Sequence, residues 1–128
     1  MKIDRKQVYD KCGGRCAYCG KKLAFKDMQV DHIYAKRDFD YHRRKLGLDY
    51  TRDDIKNLYP SCKVCNNWKK TFTPEKFKKE IEAQIIRLRL RSASFRLAER
   101  FGLVQSNSIK IEFWFETLGL RELKRKEV

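Results

Sequence analysis

The sequence predicts a small α+β domain closed around a bound metal ion, and three observations carry that expectation. Two CxxC pairs, Cys16/Cys19 and Cys62/Cys65, are spaced to share one ion. Between them, residues 23–33 read as a strand or hairpin, with Phe25, Met28 and Val30 on one face and Gln29 and Asp31 on the other. Beyond them, Thr73-Pro74-Glu75 is a helix start, combining a hydroxyl N-cap, proline at the first helical position and an acid in the first turn.

Taken in order, residues 1–11 read as a short helix with Ile3, Val8 and Tyr9 turned inward, ended by Gly13-Gly14. Cys12, four residues before Cys16, reads as a buried free thiol, with competition for the metal as the alternative. Residues 15–20 suit a tight metal-binding turn, in which Gly20 permits the backbone conformation needed after Cys19. The charged, tyrosine-rich stretch 34–55 reads as a loop whose charges face solvent, with His42 as a surface residue or nucleic-acid contact. From Pro74 onward, Phe77, Ile81, Ile85, Leu88 and Phe95 keep the spacing of one long helix that ends before Gly102. Residues 109–115 then alternate as a terminal strand, and the basic run from Arg121 to Lys126 reads as a frayed helix. The division expected is a core over residues 1–72 and a basic extension over 73–128 that packs on the core or on a partner.

Thirty-one Lys and Arg against 17 Asp and Glu leave a net charge of +14, which points to a polyanionic partner, nucleic acid before anionic membrane. No apolar run approaches the roughly 20 residues of a spanning helix, and the charged N-terminus does not resemble a secretory signal. Four of five cysteines fall in CxxC pairs, which in a reducing compartment favours metal over disulfides and implies a cytoplasmic setting. In a domain this small a metal staple adds much to a thin stability margin.

Four thiolates make a closed tetrahedral zinc site with no position left for substrate, so the zinc is structural. Closing the chain through it brings Asp31, His32 and Asn57 toward Asn66. The Asp31-His32 pair offers two different chemistries on opposite sides of an extended strand. A carboxylate suits a hard divalent cation such as Mg²⁺, and an imidazole can take a proton from water near neutral pH.

CxxCG, then DHI, then Asn57-Leu58, then CxxCNxxK is an order that resembles the HNH endonucleases, the ββα-metal (His-Me finger) nucleases, in the subgroup stapled by four cysteines. It is also similar to the phage Holliday-junction resolvases of that fold. The resemblance spans roughly residues 5–72. It implies that Asp31 and Asn66 ligate a catalytic Mg²⁺ or Mn²⁺ ion and that His32 is the general base. It further implies that Asn57 bonds across the loop to orient that base, and that Lys69 contacts a phosphate beside the scissile bond. Asparagine rather than histidine at position 66 makes the ion site richer in oxygen, favouring Mg²⁺ or Mn²⁺ over zinc there.

The activity implied is hydrolysis of DNA phosphodiester bonds to 5′-phosphate and 3′-hydroxyl ends, by an endonuclease or nickase of little sequence preference. The alternatives are a non-catalytic zinc-dependent DNA-binding module and a subunit of a larger phage or restriction complex. The basic helix face reads as a phosphate-tracking surface, and its apolar stripe as a face packed on the core. A homodimer seam or a phage or host partner surface is the alternative for that stripe, and by analogy the chain is a bacteriophage or mobile-element protein.

Overall fold

Asp4 sets the start of the first helix, its carboxylate accepting from the backbone N–H groups of Lys6 and Gln7 at 3.1 and 3.2 Å. Helix α1 therefore runs Arg5–Lys11, shorter than expected, with Val8 fully buried. These details come from a computed structural model, which describes residues 2–107 and 109–120. The chain divides into two compact units, Met1–Pro74 with Glu112–Val128, and Glu75–Ile111.

In the first unit, strand β1 (Gln29–His32) pairs antiparallel with β2 (Leu58–Ser61), placing Asp31 opposite Tyr59 and His32 opposite Leu58. Helix α3 (Lys63–Lys69) follows β2 directly, giving the ββα order. The first strand is shorter than the expected 23–33, because Phe25–Asp27 coil into a 3₁₀ turn. Gln29 and Asp31 share one face of the strand, with Asp31 buried, and Phe25 lies before the strand and is exposed.

Residues 34–55 hold more structure than a loop. A 3₁₀ turn at Lys36–Asp38 leads into helix α2 (Phe39–Leu46), closed by Gly47 in the left-handed region at φ 69°. Phe39, Leu48 and Tyr50 anchor it in the core, and the His42 ring packs 5.1 Å from that of Tyr34.

The terminal strand expected over 109–115 does not form. Residues 109–113 are irregular and Trp114–Thr117 form a short helix. Phe113 and Phe115 are both buried, as two residues on one strand face would be, but through ring packing without sheet pairing. Their rings meet Tyr18 and Tyr59, with Tyr59 and Phe115 stacked at 4.7 Å. The backbone N–H groups of Trp114 and Phe115 donate to the carbonyls of Tyr18 and Ala17, clamping this segment onto the first CxxC turn. Trp114 packs against Gly20 with the Arg15 guanidinium 5.2 Å from its ring centre.

The long helix expected from Pro74 is instead three: α4 (Pro74–Glu82), α5 (Gln84–Arg91) and α6 (Ala93–Arg100). Ser92 makes the sharper break, with extended backbone that ends α5 and a hydroxyl that accepts from Phe95 N–H to cap α6. An Arg89–Glu99 ion pair at 2.8 Å ties α5 back to α6, so the second unit is a helical hairpin. Leu90, Leu97, Phe101 and Leu103 are exposed on it. The basic run from Arg121 lies outside the described residues. Among the described residues, no helix is long and apolar enough to cross a membrane.

Candidate metal centre and active site

Two turns of different kind deliver the four thiols. Cys16 and Cys19 sit on a tight turn where Gly20 takes φ 78° and its N–H donates to the Cys16 carbonyl. Cys62 is the N-cap of α3, its sulfur accepting from Cys65 N–H at 3.4 Å, so Cys65 lies on the first helical turn. The Ala17 N–H donates to the Pro60 carbonyl at 2.8 Å, fastening the first turn to β2. All four sulfurs lie within 4.8 Å of one another, and Cys19 and Cys62 are 3.8 Å apart. Thiolates held by ~2.3 Å bonds at the corners of a tetrahedron are about 3.8 Å apart, so the cluster fits zinc. A hydrogen bond from the Cys65 thiol, backed by neighbouring backbone N–H groups, pulls Cys16 down to about 4 against the cost of its burial. Cys65, the donor of that bond, is pushed up.

Cys12 lies outside this cluster, buried, with desolvation pushing its thiol up to about 11. That matches a core thiol rather than a fifth ligand.

Asp31 is 4% exposed, and both its carboxylate oxygens are engaged. The Tyr18 hydroxyl donates to Oδ2 at 2.5 Å and Lys69 Nζ to Oδ1 at 3.2 Å. Burial pushes the Asp31 carboxyl up, while Lys69 and the Tyr18 hydrogen bond pull it back. Lys69 is itself 0% exposed and donates a second bond to the His32 carbonyl at 3.0 Å. Through these bonds Lys69 forms an internal tie between α3 and β1.

Asn66, on α3, donates through Nδ2 to Gln29 Oε1 at 2.6 Å. Gln29 and Asp31 are two apart on β1 and share a face, so Asn66 works on the same side of the strand as Asp31. With its amino group on Gln29, Asn66 has an Oδ1 that could accept a cation. The Asp31 carboxylate also has lone pairs beyond those Tyr18 and Lys69 use. This oxygen-donor pair fits a hard divalent ion.

His32 bonds through Nε2 to Asp53 Oδ1 at 2.8 Å, with the two side chains 11% and 22% exposed. That bond, aided by the charges of His32, Arg52 and Lys36, holds the Asp53 carboxyl below the usual carboxylate range. Asn57 is fully buried and spans the loop: Oδ1 accepts from Tyr34 N–H, and Nδ2 donates to the carbonyls of Tyr34 and Arg52.

Sequence reasoning missed Tyr18, Gln29 and Asp53. Two of them carried a signal: Tyr18 sits inside the first CxxC, and Gln29 is one strand period before Asp31. Asp53 carried none, because its approach depends on how the 34–55 loop returns.

A search of solved structures finds similarity to the crystal structure of the Type II-C Cas9 enzyme from Actinomyces naeslundii, at 21% identity and a TM-score of 0.46. The match covers 60% of this chain and 8% of that one. No curated protein matches the sequence. The family model of HNH endonuclease matches residues 16–72, from the first cysteine of the cluster to just past α3. This 16–72 segment, with its four-cysteine cluster and ββα order, belongs to the HNH endonuclease family.

Proposed function

We propose that the chain is a metal-dependent DNA endonuclease or nickase that hydrolyses phosphodiester bonds to 5′-phosphate and 3′-hydroxyl ends. What supports this reading is that Asn66 meets Gln29, which shares a face of β1 with Asp31, while the adjacent His32 imidazole is held by the Asp53 carboxylate. Asp31 and Asn66 would hold Mg²⁺ or Mn²⁺, which when bound supplies positive charge to the scissile phosphate and the departing 3′ oxygen. His32 takes the proton of the attacking water, and Lys69 and Tyr18 fix the Asp31 carboxylate. The four cysteines would hold structural zinc that builds the site without entering the chemistry. The net charge of +14 supports a DNA substrate contacted through its phosphates.

The rival reading, a zinc-held DNA-binding module without catalysis, draws on the burial of Asp31 and the engagement of both its oxygens. Incubation of supercoiled plasmid with the protein, with and without Mg²⁺ or Mn²⁺, separates the two. Nicking that requires the divalent ion and falls to a small residual rate in His32→Ala supports the nuclease. DNA retained but never cut supports the module.

A further inference from the structure

Within the nuclease reading, on which this inference rests, we infer that Asp53 is a positioning residue that fixes the His32 tautomer, and that Asn57 acts on the base by placing Asp53. An ionised carboxylate only accepts hydrogen bonds, so the 2.8 Å contact from Asp53 Oδ1 to His32 Nε2 requires the proton on Nε2. The neutral ring then presents its lone pair at Nδ1, which becomes the nitrogen that takes a proton from water. Without Asp53 the ring is free to divide between tautomers and to rotate, and only a fraction of molecules keeps a basic Nδ1 toward the site.

The placement of Asp53 is built rather than incidental. Its preceding residue, Arg52, gives its carbonyl to Asn57 Nδ2 at 2.8 Å. The same Asn57 amide is bonded to both the N–H and the carbonyl of Tyr34, two residues beyond His32. On the other side of Asp53, Asp54 caps the 3₁₀ turn Ile55–Asn57 by accepting from Lys56 N–H at 2.9 Å, and its own N–H donates to the Thr51 carbonyl. The segments that carry His32 and Asp53 are thus stitched together by one buried amide. Asn57 therefore acts at one remove. It touches neither the base nor the ion, and its effect on His32 runs through the Arg52 carbonyl to Asp53.

The test compares wild type, Asp53→Ala, Asp53→Asn, His32→Ala and the Asp53→Ala/His32→Ala double variant in Mg²⁺-dependent plasmid nicking. A long-range ¹H–¹⁵N spectrum of the imidazoles at about pH 8.5, above the ordinary histidine range, accompanies it. Losses on the order of 10- to 100-fold are usual when a residue that orients a working side chain is removed. Asp53→Ala should lose that much in kcat with KM for DNA unchanged. Asp53→Asn, whose Nδ2 can turn to donate to Nε2 and so hold the opposite tautomer, should not recover the loss. In the His32→Ala background the Asp53 change should add nothing, which a general loosening of the loop would not reproduce. The spectrum should show His32 as the Nε2–H form in wild type and as a mixture in Asp53→Ala. A mixed tautomer in wild type, or nicking by Asp53→Ala within about twofold of wild type, would overturn the inference. A wild type that never cuts DNA refutes the nuclease reading instead, and the spectrum still decides whether Asp53 sets the tautomer.

Discussion

Lys69 and Asp31 form a buried ion pair that joins α3 to β1, with the ammonium fully enclosed and the carboxylate nearly so. A charge pair taken out of water this completely is costly to break from one side, because the surviving charge is left buried and unpaired. Lys69→Met should therefore destabilise the first unit by about 3–5 kcal/mol. Adding Asp31→Asn should restore part of that loss by removing the orphaned charge. Urea melts of the single and double variants check this. A Lys69→Met protein of wild-type stability that merely binds DNA more weakly would return Lys69 to the phosphate contact first expected.

Gln29 engages the amino end of Asn66, so on the proposed reading it decides which end of that amide would face the ion. Gln29→Ala leaves the amide free to turn its donor inward, where a cation is repelled. Mg²⁺ should then be needed at concentrations on the order of 10- to 100-fold higher for half-maximal nicking. Bound zinc and the melting temperature should stay unchanged, since Gln29 touches neither the cysteine cluster nor the ion pair. An unaltered Mg²⁺ requirement would leave Asn66 without a role as ligand.

What was legible in the sequence divides along the same lines. The cysteine cluster and the ββα order were readable because a tetrahedral site imposes its own spacing on CxxC pairs. Asp31, His32 and Asn66 were readable as a motif, but not the burial that makes Lys69 internal: polarity suggests exposure unless a partner is visible, and the partner comes from another element. Residues 109–115 alternate like a strand, yet Phe113 and Phe115 are committed to the Tyr18 and Tyr59 rings and no neighbouring strand is there to pair among the described residues. The run from Pro74 to Arg100 kept helical periodicity across Ser92 because a helix–helix break changes direction without changing spacing.

Lys11 and Cys12 predict a pH response with two opposed parts. Burial lowers Lys11 to about 8, although its ammonium reaches the carbonyls of Ile55 and Leu58 and lies 4.5 Å from the Tyr59 ring centre. Its folded value is below the unfolded one of about 10.4, so the unfolded chain binds more protons across that interval and stability rises with pH there. Cys12 is raised to about 11 by burial, above its unfolded value of about 8.5. The folded chain then holds the extra proton, and stability falls with pH over that interval. Together they predict a melting temperature that climbs as pH passes 8 and flattens once Cys12 begins to oppose it. Lys11→Met should abolish the climb and expose the later fall. A climb that survives in Lys11→Met would assign it to another group.

Cys62 has two jobs that one substitution can separate. As N-cap of α3 its sulfur accepts from Cys65 N–H, and as a member of the cluster its thiolate would bind zinc. Serine is among the best N-caps, so Cys62→Ser keeps the cap and removes only the ligand. If capping were the whole role, the variant would melt like wild type. A structural zinc in a small domain is worth on the order of 10 kcal/mol or more, far beyond the ~1 kcal/mol of a cap. Cys62→Ser should thus lose its bound metal by elemental analysis and its cooperative melt together. A zinc-selective chelator should do the same to wild type, whereas withdrawing Mg²⁺ alone should stop nicking and leave the melt intact. A stable, active Cys62→Ser protein would show that the four sulfurs meet without holding the fold.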